Sequence, residues 1–527
     1  MTGSAAAALR KGFAKLEAGD ARGAAACCKA ALAAEPDNPR GHFLVGLAAS
    51  ALNDWPTAAR AFGAVIKLDP TSAAGHAQLA RALLTLGRPL QAETALADAA
   101  ARAEDAPNAP DAAVAVLIGM CHGLLGAHAA ARGWHARAVA AVRDNPAYAV
   151  NYATCLSTLG ETAAATAACE RVLAREPENP QAHWLRGSLV RATDVADAER
   201  LRARADAARG PIARAFLAYA AGKAFEDVAD WPRAFEAYSL GAAAKRATLA
   251  YDVTAERAAF DARAETYDAA WRARAGDGVD DPSPIFVVGQ PRTGTTLIER
   301  ILTSHSAVAS AGEPQQFGLS VRRLAGVRGA GRWSADVARA AASIDPQALG
   351  REYLRALAPI RPDAPRFVDK LPGNYQHLPL ILAALPKARI VHVRRGAMDA
   401  CFASFKQLFA DAYPHSYDQA ETARHHVRYR RLMDCWRAAF PGRFFEISYE
   451  ETVADLEPNA RALIAAAGLE WEPACLDFHR QAAPVATASA TQVREPAHTR
   501  SVGRWRRYGD RLAPMRAVLE NAGVPLD

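Results

Sequence analysis

The chain has 527 residues, a length that favours two or three domains over a single core. Apolar residues make up 51% and charged residues 23%, which excludes a disordered or collagen-like chain. The formal net charge of +7 is mild for this length and no nucleic-acid-binding motif accompanies it, so we expect no nucleic-acid partner.

The N-terminus and the cysteines bear on the compartment. Residues 1–19 alternate alanines with charged residues and lack the unbroken apolar core of a signal peptide. No apolar run approaches the roughly 18 residues that suggest a membrane span. The eight cysteines form no CxxC pair, so neither a zinc site nor a disulfide framework is predicted. We therefore expect a soluble, cytoplasmic protein without a membrane span.

A repeated pattern runs through the first half of the chain. Matching segments end on alanines at positions 24, 58, 92, 131 and 165. Three of the four steps are 34 residues long, and the fourth is longer by five. This period resembles the tetratricopeptide repeat, which implies two antiparallel helices per copy. The interpretation predicts an α-helical solenoid over residues 1–250, followed by a helical linker over 251–283. Stacked repeats of this kind form a concave surface that usually binds peptide or protein.

The pattern changes near residue 281. Ile285–Val288 is a short apolar run, typical of a buried parallel strand. A glycine-containing loop follows it, and the stretch from Leu297 to Thr303 is helical in character. A strand, a glycine loop and a helix N-terminus together form a cradle of backbone N–H groups for an anion.

The loop differs from a nucleoside-triphosphate loop at one position. Its spacing is nearly GxxxxGK[ST], but Thr295 stands where the lysine is expected. The absence of this lysine argues against hydrolysis of ATP or GTP. For the same reason it argues against a nucleotide kinase. The basic side chain lies inside the loop instead, at Arg292.

The segment Pro291–Leu297 resembles the phosphosulfate loop of sulfotransferases that use 3′-phosphoadenosine 5′-phosphosulfate (PAPS). The closest resemblance is to bacterial tetratricopeptide-repeat sulfotransferases and to the tyrosylprotein sulfotransferases. It implies a three-layer α/β domain with a central parallel sheet over residues 284–527. It also implies transfer of a sulfuryl group from PAPS to an acceptor hydroxyl or amine. By the same resemblance, the donor's 5′-phosphosulfate is held by Arg292, Thr293, Gly294, Thr295, Thr296 and Leu297.

Two further blocks carry the catalytic candidates that the resemblance implies. Glu313 matches the family's general base, and a carboxylate within hydrogen-bond reach can take the acceptor's proton. Lys370, in the segment Asp369–Asn374, matches the lysine that neutralises charge on the bridging oxygen and the sulfuryl group. Such a fixed cation is often the largest catalytic contribution. Arg292 also stabilises charge in this interpretation.

A fourth block matches the family's site for the donor's 3′-phosphate. Arg395 matches the arginine, which the family follows with a serine eight residues later. Here that position holds Ala403, and Ser404 comes one place further. On a helix, one position turns a side chain by roughly 100°. We name Ser404 as the candidate for the serine contact with the 3′-phosphate. A further block of the resemblance, Phe444–Glu450, names Tyr449 as the aromatic residue beside the adenine.

The last block lies near the C-terminus. Ser489 resembles a tyrosylprotein sulfotransferase serine that hydrogen-bonds near the transferring group. Arg500 and Gly503 belong to a segment similar to the loop that closes over the donor. No metal is expected, because arginine and lysine supply the positive charge that Mg²⁺ supplies to kinases.

One alternative and one question stay open. The alternative is a non-catalytic tetratricopeptide scaffold with a vestigial nucleotide-binding domain, which the presence of Arg292, Glu313 and Lys370 disfavours. The acceptor is not identified by the sequence. A protein or peptide bound on the concave face of the repeats, a glycan, a lipid and a small metabolite all fit.

Overall fold

The computed structural model describes residues 3–105, 111–327, 334–409, 412–487 and 492–527. The chain divides into two compact units. The first comprises Met1–Cys155 with Ala356–Ile360, and the second comprises Leu156–Arg355 with Arg361–Asp527. Among the described residues, no helix is both long and apolar enough to cross a membrane.

The chain up to residue 159 is a succession of paired helices. They are α1 (Gly3–Glu17), α2 (Ala21–Ala34), α3 (Pro39–Ala51), α4 (Trp55–Leu68), α5 (Ala73–Thr85), α6 (Pro89–Glu104), α7 (Ala112–Leu124), α8 (His128–Ala141) and α9 (Pro146–Leu159). Short polar side chains begin many of them: Asp54, for example, accepts a hydrogen bond from the backbone N–H of Thr57. The repeat alanines Ala24, Ala58 and Ala92 are fully buried, which lets neighbouring helices approach closely. The predicted helical repeat is confirmed.

Helices continue through the start of the second unit. They are α10 (Thr162–Arg175), α11 (Pro180–Leu189), α12 (Val195–Ala207), α13 (Pro211–Asp227), α14 (Trp231–Arg246), α15 (Val253–Thr266) and α16 (Ala269–Arg274). The division between the units thus falls at residue 155/156, inside the predicted solenoid. The domain limits at 250 and 283 stay a prediction.

The rest of the second unit alternates strands and helices. The strands are β1 (Pro284–Gly289), β2 (Val308–Ser310), β3 (Arg366–Asp369), β4 (Arg389–Arg394) and β5 (Phe445–Ser448). The helices are α17 (Thr295–Thr303), α18 (Gln316–Ala325), α19 (Ala335–Ala341), α20 (Pro346–Leu357), α21 (Leu378–Ala384), α22 (Ala397–Phe405), α23 (Gln419–Ala439), α24 (Tyr449–Ala454), α25 (Leu456–Ala466) and α26 (Ala513–Asn521). Short 3₁₀ segments connect several of these elements.

The five strands form one parallel sheet in the order β2-β3-β1-β4-β5. The central strand β1 is buried along its whole length, as its unbroken apolar sequence predicts. The carboxyl ends of parallel strands meet at one edge, which is where open α/β sheets bind their ligands. The loops after β1, β2, β3 and β4 therefore meet at this edge. The predicted α/β architecture with a central parallel sheet is confirmed.

The helices before the sheet share a hydrophobic core with it. Tyr219 and Phe225 of α13 and Tyr238 of α14 lie in one buried cluster with side chains of the α/β part. The partners include Met398 and Phe402 of α22. Burying aromatic side chains of this size is worth roughly 1.5–3 kcal/mol each. Helices α13 and α14 are therefore part of the same folded body as the sheet.

Candidate functional site

The loop after β1 turns sharply at Gly294, just before α17. Gly294 has a φ of +98°, a backbone conformation that side chains disfavour. A Cβ there would lie 2.5 Å from Cδ2 of Tyr449, so the Tyr449 ring packs directly on the glycine. The first turn of α17, Thr295 to Leu297, is buried. Its N–H groups follow this turn, in the arrangement that binds anions at helix N-termini.

Two arginines meet at this loop. Arg395, just after β4, donates from Nη1 to the backbone carbonyl oxygen of Arg292 at 2.8 Å. Its guanidinium carbon lies 4.7 Å from the centre of the Tyr449 ring. Burial, and then the neighbouring charge of Arg395, lower the pKa of Arg292 to about 10. Two cations held this close favour an anion beside them.

The segment around residues 501–505 is tied to the same place. Arg395 Nη2 donates to the carbonyl oxygen of Ser501, and the backbone N–H of Gly503 donates to Asp399 on α22. The backbone N–H of Trp505 donates to the other Asp399 oxygen at 3.2 Å. The segment that contains Gly503 is thus joined to Arg395 and Asp399, while its role as a closing loop stays a prediction. The side chain of Arg500 instead is exposed and pairs with Glu495.

Two hydroxyl candidates stabilise the loop itself. Ser404 Oγ is buried and donates to the carbonyl oxygen of Pro291 at 3.2 Å. Thr293 Oγ1 donates to the carbonyl oxygen of Gln290 at 2.8 Å. Ser404 therefore contacts the loop backbone from α22. Ser489 lies outside the described residues.

Lys370 and Glu313 form a close ion pair at the edge of the sheet. Lys370 follows β3 and is fully buried, whereas the Glu313 side chain is 39% exposed. A third group, which the sequence pattern did not single out, completes the arrangement. Glu299 Oε2 of α17 lies 3.6 Å from Lys370 Nζ. In the sequence, Glu299 is the single acidic residue of the largely apolar segment Leu297–Leu302. All residues of this segment are buried in helix α17.

Glu299 is also bonded to the loop that carries Glu313. Ser310 Oγ donates to Glu299 Oε1 and accepts from the backbone N–H of Gly312 at 2.9 Å. Burial raises the pKa of Glu299 above its ordinary value. Burial alone would lower the pKa of Lys370, but the carboxylates of Glu313 and Glu299 raise it. The ammonium group is therefore charged at neutral pH.

A second buried carboxylate, that of Glu226, lies beside the C-terminal end of α22. Glu226 of α13 pairs with Lys406 and, at 2.8 Å, with Nε of Arg504. The hydroxyl of Tyr238 donates to its other oxygen at 2.9 Å. Burial alone would raise the pKa of Glu226, but Lys406 and Arg504 lower it to about 2. Helix α13 thus holds two cations, one of which, Arg504, directly follows Gly503 in the chain.

One group of potential metal ligands lies elsewhere, between α15 and α23. Ligand atoms of Glu256, His415 and His425 lie within 4.8 Å of one another. The two imidazole rings, however, stack face to face at 3.5 Å with an angle of 9°. Parallel rings this close cannot direct both nitrogens at one ion with tetrahedral angles. Glu256 also pairs with Arg428, so the group is better described as a buried ion-pair network.

Comparisons with known proteins find a family match in the α/β part of the chain. Residues 284–473 match the model of the sulfotransferase family. A protein of Aquifex aeolicus (strain VF5), described only as uncharacterized, is 31% identical over 325 residues. The matched region is 60% of this chain and 42% of that protein, so the chain spans less than half of the relative's length.

Two solved structures are similar to parts of the chain. The sulfotransferase domain from the curacin biosynthetic pathway is 14% identical with a TM-score of 0.33, over 48% of this chain and 100% of that domain. A thermophilic TPR protein of Thermus thermophilus is 20% identical with a TM-score of 0.30, over 34% of this chain and 95% of that protein. The family match concerns residues 284–473, which contain the five strands of the sheet and lie in the C-terminal half of the chain.

Proposed function

We propose that the protein is a PAPS-dependent sulfotransferase that sulfates a hydroxyl or amine group of an acceptor. The observation that carries the proposal is the contact of Lys370 with both Glu313 and the helix α17, whose first turn ends the anion loop. A charged lysine, a half-exposed carboxylate and an anion cradle are the three parts that sulfuryl transfer requires. They lie together at one edge of the sheet.

The residues around the loop fit the donor. The turn at Gly294 leaves no room for a side chain, as an anion cradle needs. Nε of Arg395 is buried and has no hydrogen-bond partner among the described residues. In the proposal Arg292 and residues 293–297 hold the 5′-phosphosulfate, Arg395 holds the 3′-phosphate, and Tyr449 borders the adenine.

In the proposed reaction each residue has one task. PAPS supplies a sulfuryl group that is joined through oxygen to its 5′-phosphate. Glu313 takes the proton of the acceptor hydroxyl as the new oxygen–sulfur bond forms. Lys370 holds a positive charge where the bridging oxygen gains electrons as its bond to sulfur breaks. The products are the sulfated acceptor, adenosine 3′,5′-bisphosphate and a proton on Glu313.

Donor binding tests the first half of the proposal. Titration calorimetry with the full chain should show much tighter binding of adenosine 3′,5′-bisphosphate than of ATP. Arg292→Ala should abolish it, because the variant loses the cation inside the loop. Equal affinity for ATP, or hydrolysis of ATP, would overturn the proposal.

The base is tested separately. Glu313→Ala should keep its affinity for adenosine 3′,5′-bisphosphate and lose transfer of ³⁵S from labelled PAPS to acceptors in a lysate. General-base catalysis contributes about 10²- to 10⁴-fold, so the loss should be in this range. Transfer at the wild-type rate in this variant would remove Glu313 from the mechanism.

The acceptor in this proposal is a protein or peptide held by the helical repeats. The concave surface that stacked repeats form supports this choice. The test identifies the labelled product. Label on a macromolecule that proteases degrade would support a protein or peptide acceptor. Label confined to glycan, lipid or small molecules would exclude it.

A further inference from the structure

We infer that Glu299 is a positioning residue: it holds the Lys370 ammonium group in place while Glu313 takes the proton of the acceptor. The inference rests on the proposed roles of Lys370 and Glu313. It adds a second carboxyl group beside Lys370, from helix α17, whose first turn ends the anion loop.

Lys370 carries its ammonium group in the interior of the protein. This side chain is fully buried, and a buried ammonium group needs a compensating negative charge. In the structure Glu313 supplies one charge through a close contact, and Glu299 supplies another at 3.6 Å. A mechanism that protonates Glu313 removes the first charge at the moment when Lys370 must stay charged. Among the described residues, Glu299 is the other carboxylate that pairs with the ammonium group, and it can keep that group in position.

Glu299 is fixed in a way that suits this task. It is buried, and one of its oxygens accepts a hydrogen bond from Ser310 Oγ while the other faces Lys370. Ser310 also accepts from the N–H of Gly312, the residue before Glu313. The carboxylate therefore spans the base loop and the lysine, and it cannot turn away without breaking a bond.

Titratable groups lie beside Lys370 on several elements, and burial raises the pKa of one of them, Asp369, to about 8. Glu299 faces the lysine from α17, Glu313 from the loop after β2, and Asp369 precedes it on β3. Asp369 accepts hydrogen bonds from Tyr353 and Asn374, so its oxygens are engaged on the other side. Losing the charge of Glu299 should therefore lower the titration midpoint of Lys370, by about one pH unit for a single neighbouring charge.

Glu299→Gln tests the inference, because glutamine keeps the shape and can still accept from Ser310. The chain has only nine lysines, so lysine labelled with ¹³C at Cε gives few NMR signals, and Lys370→Arg identifies the one of interest. In Glu299→Gln this signal should titrate about one pH unit lower. The turnover number should fall at least tenfold, and the alkaline limb of its pH profile should move down with the lysine. Affinity for adenosine 3′,5′-bisphosphate should stay within threefold.

Two control variants and one replacement variant make the result specific. Ser310→Ala keeps the charge and should lower turnover less than Glu299→Gln. Glu451→Gln, an exposed acidic residue of α24, should change neither the lysine signal nor turnover. If Glu299→Gln does not fold, Glu299→Asp, which keeps the charge but shortens the side chain, should lower the lysine midpoint by a smaller amount.

Two results would overturn the inference. One is an unmoved Lys370 midpoint in the Glu299 variants. The other is a fall in turnover that merely parallels a loss of affinity for adenosine 3′,5′-bisphosphate, which would mean that α17 is distorted. A wild-type chain that neither binds this nucleotide nor transfers label contradicts the proposed function instead, and the lysine titration still decides the role of Glu299.

Discussion

Arg395 donates a hydrogen bond from Nη1 to the backbone carbonyl oxygen of Arg292 at 2.8 Å, and Nη2 reaches the carbonyl oxygen of Ser501. One guanidinium group thus joins the anion loop to the segment around Gly503. Lysine presents a compact ammonium group in place of a planar fork of nitrogens, so Arg395→Lys loses the geometry that reaches both carbonyl oxygens. We expect at least tenfold weaker binding of adenosine 3′,5′-bisphosphate, measured by titration calorimetry. Arg394→Lys, at the exposed neighbouring position, is the matched control and should bind normally.

Gly294→Ala should damage the loop in two ways. The φ of +98° disfavours any side chain, and the new methyl group would lie 2.5 Å from the Tyr449 ring. We expect a loss of about 1–2 kcal/mol in the free energy of unfolding, and loss of nucleotide binding. Gly187→Ala on α11 meets open space and should be neutral or slightly stabilising, as thermal unfolding would show. Unchanged binding in Gly294→Ala would exclude the cradle.

Glu226→Gln should change how stability depends on pH. The pKa of Glu226 is about 2 in the folded chain and 4.5 as an ordinary value. A carboxylate with a lowered pKa contributes stability that is fully present above the unfolded value and lost as pH falls through the folded one. The contribution at pH 7 is about 3 kcal/mol, so the variant should be less stable there by up to this amount.

Urea unfolding between pH 7 and pH 3 measures this effect. The difference in the free energy of unfolding between wild type and Glu226→Gln should shrink as the pH falls below about 4.5. Glu236→Gln, on the exposed face of α14, should follow the wild type throughout. A difference that stays constant with pH would mean that Glu226 contributes packing rather than charge.

Removing the helices should unfold the α/β part. Tyr219, Phe225 and Tyr238 share a core with Met398 and Phe402, so a fragment 284–527 exposes this apolar surface. We expect it to aggregate, or to bind a hydrophobic dye and unfold without cooperativity. A fragment 156–527 keeps these contacts and should unfold cooperatively and bind adenosine 3′,5′-bisphosphate. Equal behaviour of the two fragments would contradict the shared core.

Local patterns made much of this structure predictable. The 34-residue period, the apolar run of β1 and the glycine loop depend on neighbouring residues, and the structure contains all three. Element ends differ by a few residues. Helix α17, for example, begins at Thr295 and not at the predicted Leu297.

The contacts between distant segments could not be predicted in this way. Glu226 meets residues 180 and 278 positions away along the chain, and no periodicity indicates such a meeting. Glu299 likewise pairs with Lys370 because the fold brings the end of β3 beside α17. In both cases the available signal was an acidic residue on an otherwise apolar helix face. Such a residue predicts a buried partner and does not say which one.

The link from Glu226 to Arg504 has a thermodynamic consequence. Helix α13 lies in the part of the chain predicted to form the solenoid, while Arg504 follows the segment that Arg395 binds. In the proposed function, a peptide whose binding shifts α13 slightly within the shared core would change the affinity for the sulfuryl donor. Reciprocity then requires that the donor change the affinity for the peptide by the same factor. The two substrates of such an enzyme would be recognised jointly, and an acceptor could raise the occupancy of the donor site without touching it.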